Sequence, residues 1–162
     1  MSAYIKLIIA LLSLLTMAAF AQYISPVQGA APTTMPSSQN YTIMTANNSY
    51  LGSYLTDSSG MTLYHLTNDQ GKNMSTCTTA ACKESWPLFY SATIKVPPNL
   101  NSKDFGTITT NGDKQTTYKG WPLYYFVEDK KPGDLNGQGI GGVWSVVDPT
   151  SSNTFPAVFP YK

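Results

Sequence analysis

The residues of this chain that could do chemistry are few, and they do not form a catalytic constellation in sequence. His65 is the only histidine among the 162 residues. A serine or cysteine nucleophile needs a base within hydrogen-bond reach and a further group that orients the base. No signature nucleophile lies near His65 in the sequence, so we expect no hydrolase of this kind.

A pair of carboxylates is the next candidate, because glycoside hydrolysis needs two carboxyl groups on either side of the scissile bond. The acids from which such a pair could be assembled are Asp69, Glu84, Glu128 and Asp129. Acids also mark turns, and no spacing favours the catalytic choice. The sequence therefore predicts a non-enzymatic protein.

The stretch from Asp134 to Gly139 has the residue spacing of a calcium-binding loop. Asp134, Asn136 and Gln138 place oxygen-bearing side chains at alternate positions, and a glycine is sixth. The twelfth position holds Ser145 instead of the bidentate glutamate, which excludes an ordinary EF-hand loop. A glycine-rich turn between strands explains the same residues and is favoured over calcium binding.

A copper site of the electron-transfer type would need two histidines, a cysteine thiolate and a weak methionine ligand. His65 with Met61 or Met74 could form at most a low-affinity site. We predict no cofactor. The alternative function is an extracellular protein that binds calcium or copper and is linked to electron transfer.

Two cysteines, Cys77 and Cys82, lie five positions apart. In an exported protein with no third cysteine and no second histidine, this spacing favours a short-loop disulfide over a metal site. A redox-active pair is the alternative, but the spacing is not C-x-x-C and no nearby group would lower a thiol pKa. We expect the disulfide to pin the chain between Asp69 and Trp86.

The N-terminal residues 1–21 have the features of a secretory signal peptide. Lys6 supplies the positive charge, residues 7–17 the apolar core, and residues 19–21 an A-x-A cleavage site. The apolar run is shorter than the roughly 20 residues of a membrane-spanning helix, so cleavage is favoured over retention as an anchor. Residues 22–40 are rich in Pro, Ser and Thr and predict a stalk, with the folded domain over residues 41–162.

Charge and composition narrow the class of partner. The net charge is only +1 and the chain has no arginine, which argues against nucleic acid and anionic membranes. The 11 tyrosines and three tryptophans provide rigid amphipathic surface that suits a glycan or another envelope protein. We expect no integral membrane domain after signal cleavage, and the oligomeric state is left open.

Three N-glycosylation sequons begin at Asn40, Asn47 and Asn73. Such sequons are modified on the surface of secreted proteins. They support export, and we expect the three asparagines to be exposed.

One pattern of residues occurs twice, 60 positions apart. Gly60, Leu63, Tyr64 and Asp69 recur as Gly120, Leu123, Tyr124 and Asp129, and the two copies are followed by Trp86 and Trp144. Duplication of one small β unit would leave such identities in register, so we predict two pseudo-repeats over about 54–90 and 114–149. A buried tyrosine needs a partner for its hydroxyl, and an aspartate at a strand end caps the next turn. A structural role for these residues is favoured over a binding role.

The fold class follows from short β-rich runs between turn residues, with no sustained helical period from Tyr41 onward. One hairpin is predicted from Tyr50–Thr56 and Met61–Thr67, and another from Phe105–Thr110 and Asp113–Tyr118 around Asn-Gly, the strongest signal for a type I′ turn. Further strands are predicted at residues 92–96, 121–127 and 143–147. The result is an all-β domain, a sandwich or partly closed barrel, with a pseudo-twofold between the repeats.

The second copy of the pattern carries a resemblance. The segment 124–129 fits the motif Y-x-(F/W/Y)-x-x-D, with Phe126 as the middle aromatic, and its flanks are also similar. In this motif the chain resembles a family of predicted secreted proteins and lipoproteins, which is described as a secreted repeat of unknown function. The first copy departs from it at Leu66, where the motif has an aromatic residue. The resemblance implies secretion and implies no reaction.

We therefore predict an exported, single-domain, all-β protein that is secreted or held at the cell surface. Its predicted function is non-enzymatic, as a binding or structural module of the cell envelope.

Overall fold

A computed structural model describes residues 40–151. The predicted signal peptide, residues 22–39 of the predicted stalk and residues 152–162 lie outside the described residues. No helix within the described range is long and apolar enough to cross a membrane.

The regular secondary structure of the described residues is mostly β-strand with little helix, as the sequence predicts. The strands are β1 Ile43–Asn48, β2 Gly52–Asp57, β3 Tyr64–Leu66, β4 Phe105–Thr110, β5 Asp113–Tyr118, β6 Trp121–Pro122 and β7 Trp144–Val146. They form three small antiparallel sheets, in which β1 pairs with β2, β3 with β7, and β5 with both β4 and β6. These strands do not close into a barrel within residues 40–151, and the sandwich arrangement stays a prediction.

The β4–β5 hairpin has the bounds that the sequence predicts. Thr110 pairs with Asp113, which leaves a two-residue loop of Asn111 and Gly112. Both loop residues have positive φ, 53° and 88°. A type I′ turn requires this, and asparagine and glycine are the residues that tolerate it.

The predicted hairpin between residues 50–56 and 61–67 is only partly correct. The main partner of β2 is β1, which the sequence analysis did not identify, in a register from Ile43↔Asp57 to Asn48↔Gly52. The segment that follows the next turn makes a single bridge with β2, Thr56↔Thr62, before it enters β3. The sequence of β1, IMTANN, ends in two asparagines and has little strand propensity, so tertiary pairing decides its conformation.

Residues 92–96 do not form the predicted strand. This segment instead lies beside the start of β1, where the carbonyl oxygen of Lys95 accepts hydrogen bonds from the amides of Thr42 and Ile43 at 2.8 and 3.4 Å. The predicted strand 121–127 is shortened to β6 and a bridge at Tyr124.

The chain also has a helix that was not predicted, α1, Ala80–Ser85. The side-chain oxygen of Thr79 caps it by accepting a hydrogen bond from the amide of Cys82. A helix of six residues is too short to show a 3.6-residue period in the sequence.

The core is divided into two apolar clusters. The first contains Tyr54, Tyr64, Leu66, Cys77, Trp86, Tyr124, Trp144 and Val146. The second contains Ile43, Leu55, Leu63, Phe89, Tyr118, Leu123 and Val147. Consecutive residues such as Leu63 and Tyr64 belong to different clusters, because side chains alternate across an extended chain. The central strand segments are therefore buried on both faces.

Candidate functional site

The two motif tyrosines face each other at the centre of the domain. The amide of Tyr64 donates to the carbonyl of Tyr124 at 2.8 Å, and the amide of Tyr124 donates to the carbonyl of Tyr64 at 2.9 Å. Both residues are 0% exposed. This reciprocal antiparallel pair joins the two copies of the pattern directly.

The tyrosine hydroxyls bind the motif aspartates in a crossed arrangement. The Tyr64 hydroxyl donates to Oδ2 of Asp129 at 2.7 Å, and the Tyr124 hydroxyl donates to Oδ2 of Asp69 at 2.5 Å. Each tyrosine thus binds the aspartate of the other copy. We call these four residues the crossed tyrosine–aspartate pairs.

The second oxygen of each aspartate holds the loop that follows it. Oδ1 of Asp69 accepts hydrogen bonds from the amide and the hydroxyl of Thr76 at 2.7 and 2.6 Å. Oδ1 of Asp129 accepts from the amide of Asn136 at 2.9 Å. In both cases the donor lies seven residues after the aspartate. This geometry agrees with the turn-holding role expected for an aspartate at a strand end.

The tyrosine oxygens have a further contact each. The amide of Gly137 donates to the Tyr64 hydroxyl oxygen at 3.2 Å, and Ser75 Oγ lies 2.8 Å from the Tyr124 hydroxyl oxygen. Buried polar atoms need such partners, because an unsatisfied buried donor or acceptor is destabilising. The network is therefore internally complete around both tyrosines.

Burial is the main reason why the pKa values of Tyr64 and Tyr124 are raised above the ordinary value of a phenol. The bound carboxylates raise the pKa of each tyrosine further. Both phenols therefore stay protonated across the physiological range and act as hydrogen-bond donors to the carboxylates.

The motif tryptophans stack on each other beside this network. The ring centroids of Trp86 and Trp144 are 3.7 Å apart with an interplanar angle of 6°. Tyr64 meets Trp86 edge-on at 5.5 Å, and Tyr124 meets Trp144 edge-on at 5.0 Å. We call Trp86 and Trp144 the tryptophan stack. Both are buried, at 5% and 6% exposure, so they belong to the core and not to an open binding face.

The remaining motif residues also have structural positions. Gly60 and Gly120 adopt positive φ, 82° and 84°, in the turns that lead into the tyrosine segments. Leu63 and Leu123 are fully buried in the second cluster. Phe126 packs on Trp86 with ring centroids 4.4 Å apart.

Cys77 and Cys82 are disulfide-bonded, with Cα atoms 5.5 Å apart, which fits the predicted pairing. Cys77 is buried in the first cluster, and Cys82 lies in α1. The bridge follows directly on Ser75 and Thr76, which contact the Tyr124–Asp69 pair. It therefore anchors one side of the network.

His65 is buried and is not at a surface where a substrate could reach it. Its ring meets Trp121 edge-on at 4.9 Å. Burial lowers the pKa of His65 from 6.5 to about 3, so the imidazole is neutral at ordinary pH.

The side chains of the candidate calcium ligands bind main-chain groups before and after their loop. Oδ2 of Asp134 accepts from the amides of Lys130 and Lys131, and Oε1 of Gln138 accepts from the amide of Val146. The side-chain amide of Asn136 donates to a main-chain carbonyl. Among residues 40–151, no group of three or more His, Cys, Asp or Glu side chains could hold a metal ion.

The three sequon asparagines, Asn40, Asn47 and Asn73, are exposed. Their surroundings differ, because the hydroxyl of Ser75 in the Asn73 sequon is buried.

The sequence indicated the two tyrosines and the two aspartates, but it predicted neither their crossed pairing nor the contacts of Ser75, Thr76 and Gly137. It assigned each aspartate to the turn after its own strand, which is correct for Oδ1 alone. The identical spacing of the two copies was the available signal, since it places each tyrosine and each aspartate at the same position within its own copy.

Comparison with known proteins finds a family model that matches part of the chain. No curated protein and no solved structure matches the chain. The family model matches residues 107–148, which include the second copy of the pattern from Gly120 to Trp144. The family is described as secreted, which supports the predicted secretion. Residues 107–148 are thus similar to a secreted repeat of unknown function, the family that the motif around Tyr124 indicates.

Proposed function

We propose that this protein is a secreted, non-enzymatic structural module of the cell envelope. The observation that carries the proposal is the burial of the motif: its tyrosines, aspartates and tryptophans bind one another in the interior. A surface that recognises a ligand would need these aromatic rings outside. The motif therefore serves to hold the domain together.

We further propose that the module consists of two repeats related by a pseudo-twofold axis. Three pairs of backbone hydrogen bonds support it. In one half, the amide of Leu63 donates to the carbonyl of Leu55, that of Leu55 to Val147, and that of Val147 to Leu63. In the other half, the amide of Leu123 donates to the carbonyl of Thr116, that of Thr116 to Phe89, and that of Phe89 to Leu123. Each bond of one set has its counterpart in the other when the halves are exchanged.

The proposed repeats exchange strands as well as hydrogen bonds. In one half, β3 pairs with β7, which lies 78 or more residues later in the chain. In the other half, Tyr124 forms a bridge with Leu88, which precedes it. The tyrosine segment of each repeat thus lies against the segment that follows the tryptophan of the other repeat. Such exchange makes the two halves one cooperative unit, which suits a protein exposed to an extracellular medium.

The proposal of a non-enzymatic role is supported by the positions of the imidazole, thiol and buried carboxylate groups, which are the side chains able to do chemistry. The imidazole of His65 is inside the protein, and both thiols are in the disulfide. The aspartates with the deepest burial, Asp69 and Asp129, are bound to tyrosines.

The structural proposal and a recognition role predict different results from tryptophan fluorescence. A structural module gives emission that acrylamide quenches weakly and that does not change when cell-wall glycans or envelope extracts are added. It is also recovered from native envelope preparations by chemical cross-linking through surface lysines. Ligand-dependent emission with no cross-linked assembly would favour recognition of a glycan or protein instead.

The metal-binding alternative is tested on the same mature protein, purified without chelator. Stoichiometric calcium or copper, together with a thermal melt lowered by EDTA, would support it. Since the side-chain oxygens of Asp134 and Gln138 already accept hydrogen bonds from main-chain amides, we expect an unchanged melt.

A further inference from the structure

Four oxidisable aromatic rings form an unbroken chain through the interior, in the order Tyr64, Trp86, Trp144, Tyr124. The three steps between ring centroids are 5.5, 3.7 and 5.0 Å. Neighbouring rings are thus in or near contact, and both ends of the chain are phenols whose hydroxyls are bound to carboxylates. Edge-on and stacked contacts of this kind are common in cores. The carboxylate at each end is the additional feature.

We propose that this aromatic chain is a radical trap, which takes an oxidising equivalent from a one-electron oxidant outside the cell and delivers it to Tyr64 and Tyr124. The tryptophan stack is oxidised first, and the crossed tyrosine–aspartate pairs are oxidised by it in the second step. This activity goes beyond a purely structural module.

The tryptophan stack is suited to be oxidised first. Two parallel indole rings at 3.7 Å can share the positive charge of a radical cation, which lowers the energy needed to remove one electron. The two residues retain small exposed fractions, 5% and 6%, so the stack lies close enough to the surface for an oxidant in solution to take the electron.

The second step transfers an electron and a proton together. An electron passes from Tyr64 to the indole radical cation of Trp86, which becomes neutral tryptophan. At the same time the O–H bond of Tyr64 breaks and its proton forms an O–H bond with Oδ2 of Asp129, 2.7 Å away. The products are a neutral phenoxyl radical and a carboxylic acid. Tyr124 and Asp69 perform the same step at the other end of the chain.

The network also allows the trap to return to its resting state. A thiolate in the medium gives one electron to the phenoxyl radical and becomes a thiyl radical. The proton returns from the aspartic acid to the tyrosine oxygen, so the phenol and the carboxylate are restored and no atom is lost.

Proton acceptance by the carboxylate is needed because the phenols do not ionise beforehand. Burial raises the pKa of both tyrosines, so the proton has to leave with the electron. Tyr118 offers a comparison within the same protein. It is also buried, but its hydroxyl lies 3.3 Å from the carbonyl oxygen of Pro149, which cannot accept a proton.

The test is pulse radiolysis of the mature, disulfide-bonded protein with the azide radical as the one-electron oxidant. The visible absorption bands of the indole and phenoxyl radicals follow the two steps in time. We expect conversion of indole radical to phenoxyl radical at a rate that does not depend on protein concentration. This conversion should be slower in deuterium oxide, since a proton moves with the electron.

Variants identify the tyrosines involved. Tyr64→Phe and Tyr124→Phe should each remove part of the fast conversion, and the double variant should remove all of it. The matched control Tyr118→Phe should retain it. Thermal melts establish that each variant is folded.

The proposal would be overturned by a fast conversion that persists in the folded double variant, since the radical would then reside on other tyrosines. If the double variant does not fold, the wild-type measurement decides. An equal rate in water and deuterium oxide would show that no proton moves in the rate-determining step, which contradicts a joint transfer of electron and proton and would overturn the proposal as well.

Discussion

Asp69 and Asp129 each join two parts of the chain that lie far apart in sequence. One oxygen of each holds the loop seven residues later, and the other binds the tyrosine of the opposite copy. The sequence could predict the first contact, because it is local. The second contact joins residues 65 or 55 positions apart, and no local pattern specifies it.

The hydroxyl of Tyr64 can be tested by its removal. Tyr64→Phe leaves the buried Asp129 without its tyrosine donor and the Gly137 amide without its acceptor. We expect the free energy of unfolding to fall by about 1–3 kcal/mol, measured by urea denaturation. Tyr118→Phe is the control, because that hydroxyl makes one 3.3 Å contact with a main-chain carbonyl and its loss should be smaller. Equal losses in the two variants would contradict a special role of the carboxylate.

His65 predicts a pH dependence of stability. Its pKa is lowered by burial to about 3 in the folded protein, against 6.5 ordinarily. Below pH 6.5 the unfolded chain binds a proton that the folded protein does not bind. The contribution of His65 to the free energy of unfolding is therefore complete above pH 6.5 and is lost as the pH falls. The slope is at most about 1.4 kcal/mol per pH unit.

The measurement is the free energy of unfolding between pH 7 and pH 4 for the wild type and for His65→Phe. Carboxylates contribute to both proteins equally, so the difference between the two curves isolates the histidine. We expect the wild type to lose more stability toward acid. Parallel curves would show that the imidazole has the same pKa in the folded and the unfolded protein, and would contradict the lowered pKa.

At the scale of elements, the sequence predicted correctly the hairpin whose conformation is determined by its turn residues. The β4–β5 hairpin follows from Asn111-Gly112, because few dipeptides accept two positive φ angles. Strand β1 and helix α1 were missed for a different reason. The conformation of β1 depends on its tertiary pairing with β2, and the six residues of α1 are too few to show a helical period in the sequence.

The turns that lead into the tyrosine segments give a matched pair of variants. Gly60 and Gly120 have almost the same positive φ, but a Cβ at Gly60 would lie 3.0 Å from Cβ of Pro132, while a Cβ at Gly120 meets nothing within 4 Å. Gly120→Ala should therefore lower the free energy of unfolding by about 1–2 kcal/mol through backbone strain alone. Gly60→Ala should lower it further.

Thermal melts of both variants, with Tm and unfolding enthalpy, measure these losses. A smaller loss for Gly60→Ala than for Gly120→Ala would mean that the contact with Pro132 relaxes without cost and that strain alone governs both turns.

At the scale of the whole molecule, the sequence showed the duplicated pattern but not how the copies combine. Two copies could have folded side by side, each with its own core. Instead the structure places Tyr64 against Tyr124, and both first-cluster tryptophans in one stack. The same repeated residues are compatible with two separate cores or with one shared core. What distinguishes the shared core is that the segments around Tyr64 and Tyr124 are buried on both faces. Hydrophobic pattern alone does not encode which copy supplies the partner strand.

The proposed exchange of strands between the two repeats predicts that neither half folds without the other. A protease site inserted at Asn99, in the exposed stretch between the two halves, allows the folded protein to be cut into two fragments. Tyr64 then remains paired with Tyr124, β3 with β7, and Phe89 with Leu123, so we expect the fragments to elute together in size-exclusion chromatography and to melt in one transition. After separation in denaturant, each fragment alone should lack β-structure by circular dichroism, because its tyrosine segment has lost its partner strand, and mixing should restore it. Fragments that separate without denaturant, or that fold singly, would show that the halves are independent units and that the crossed tyrosine–aspartate pairs contribute little to cohesion.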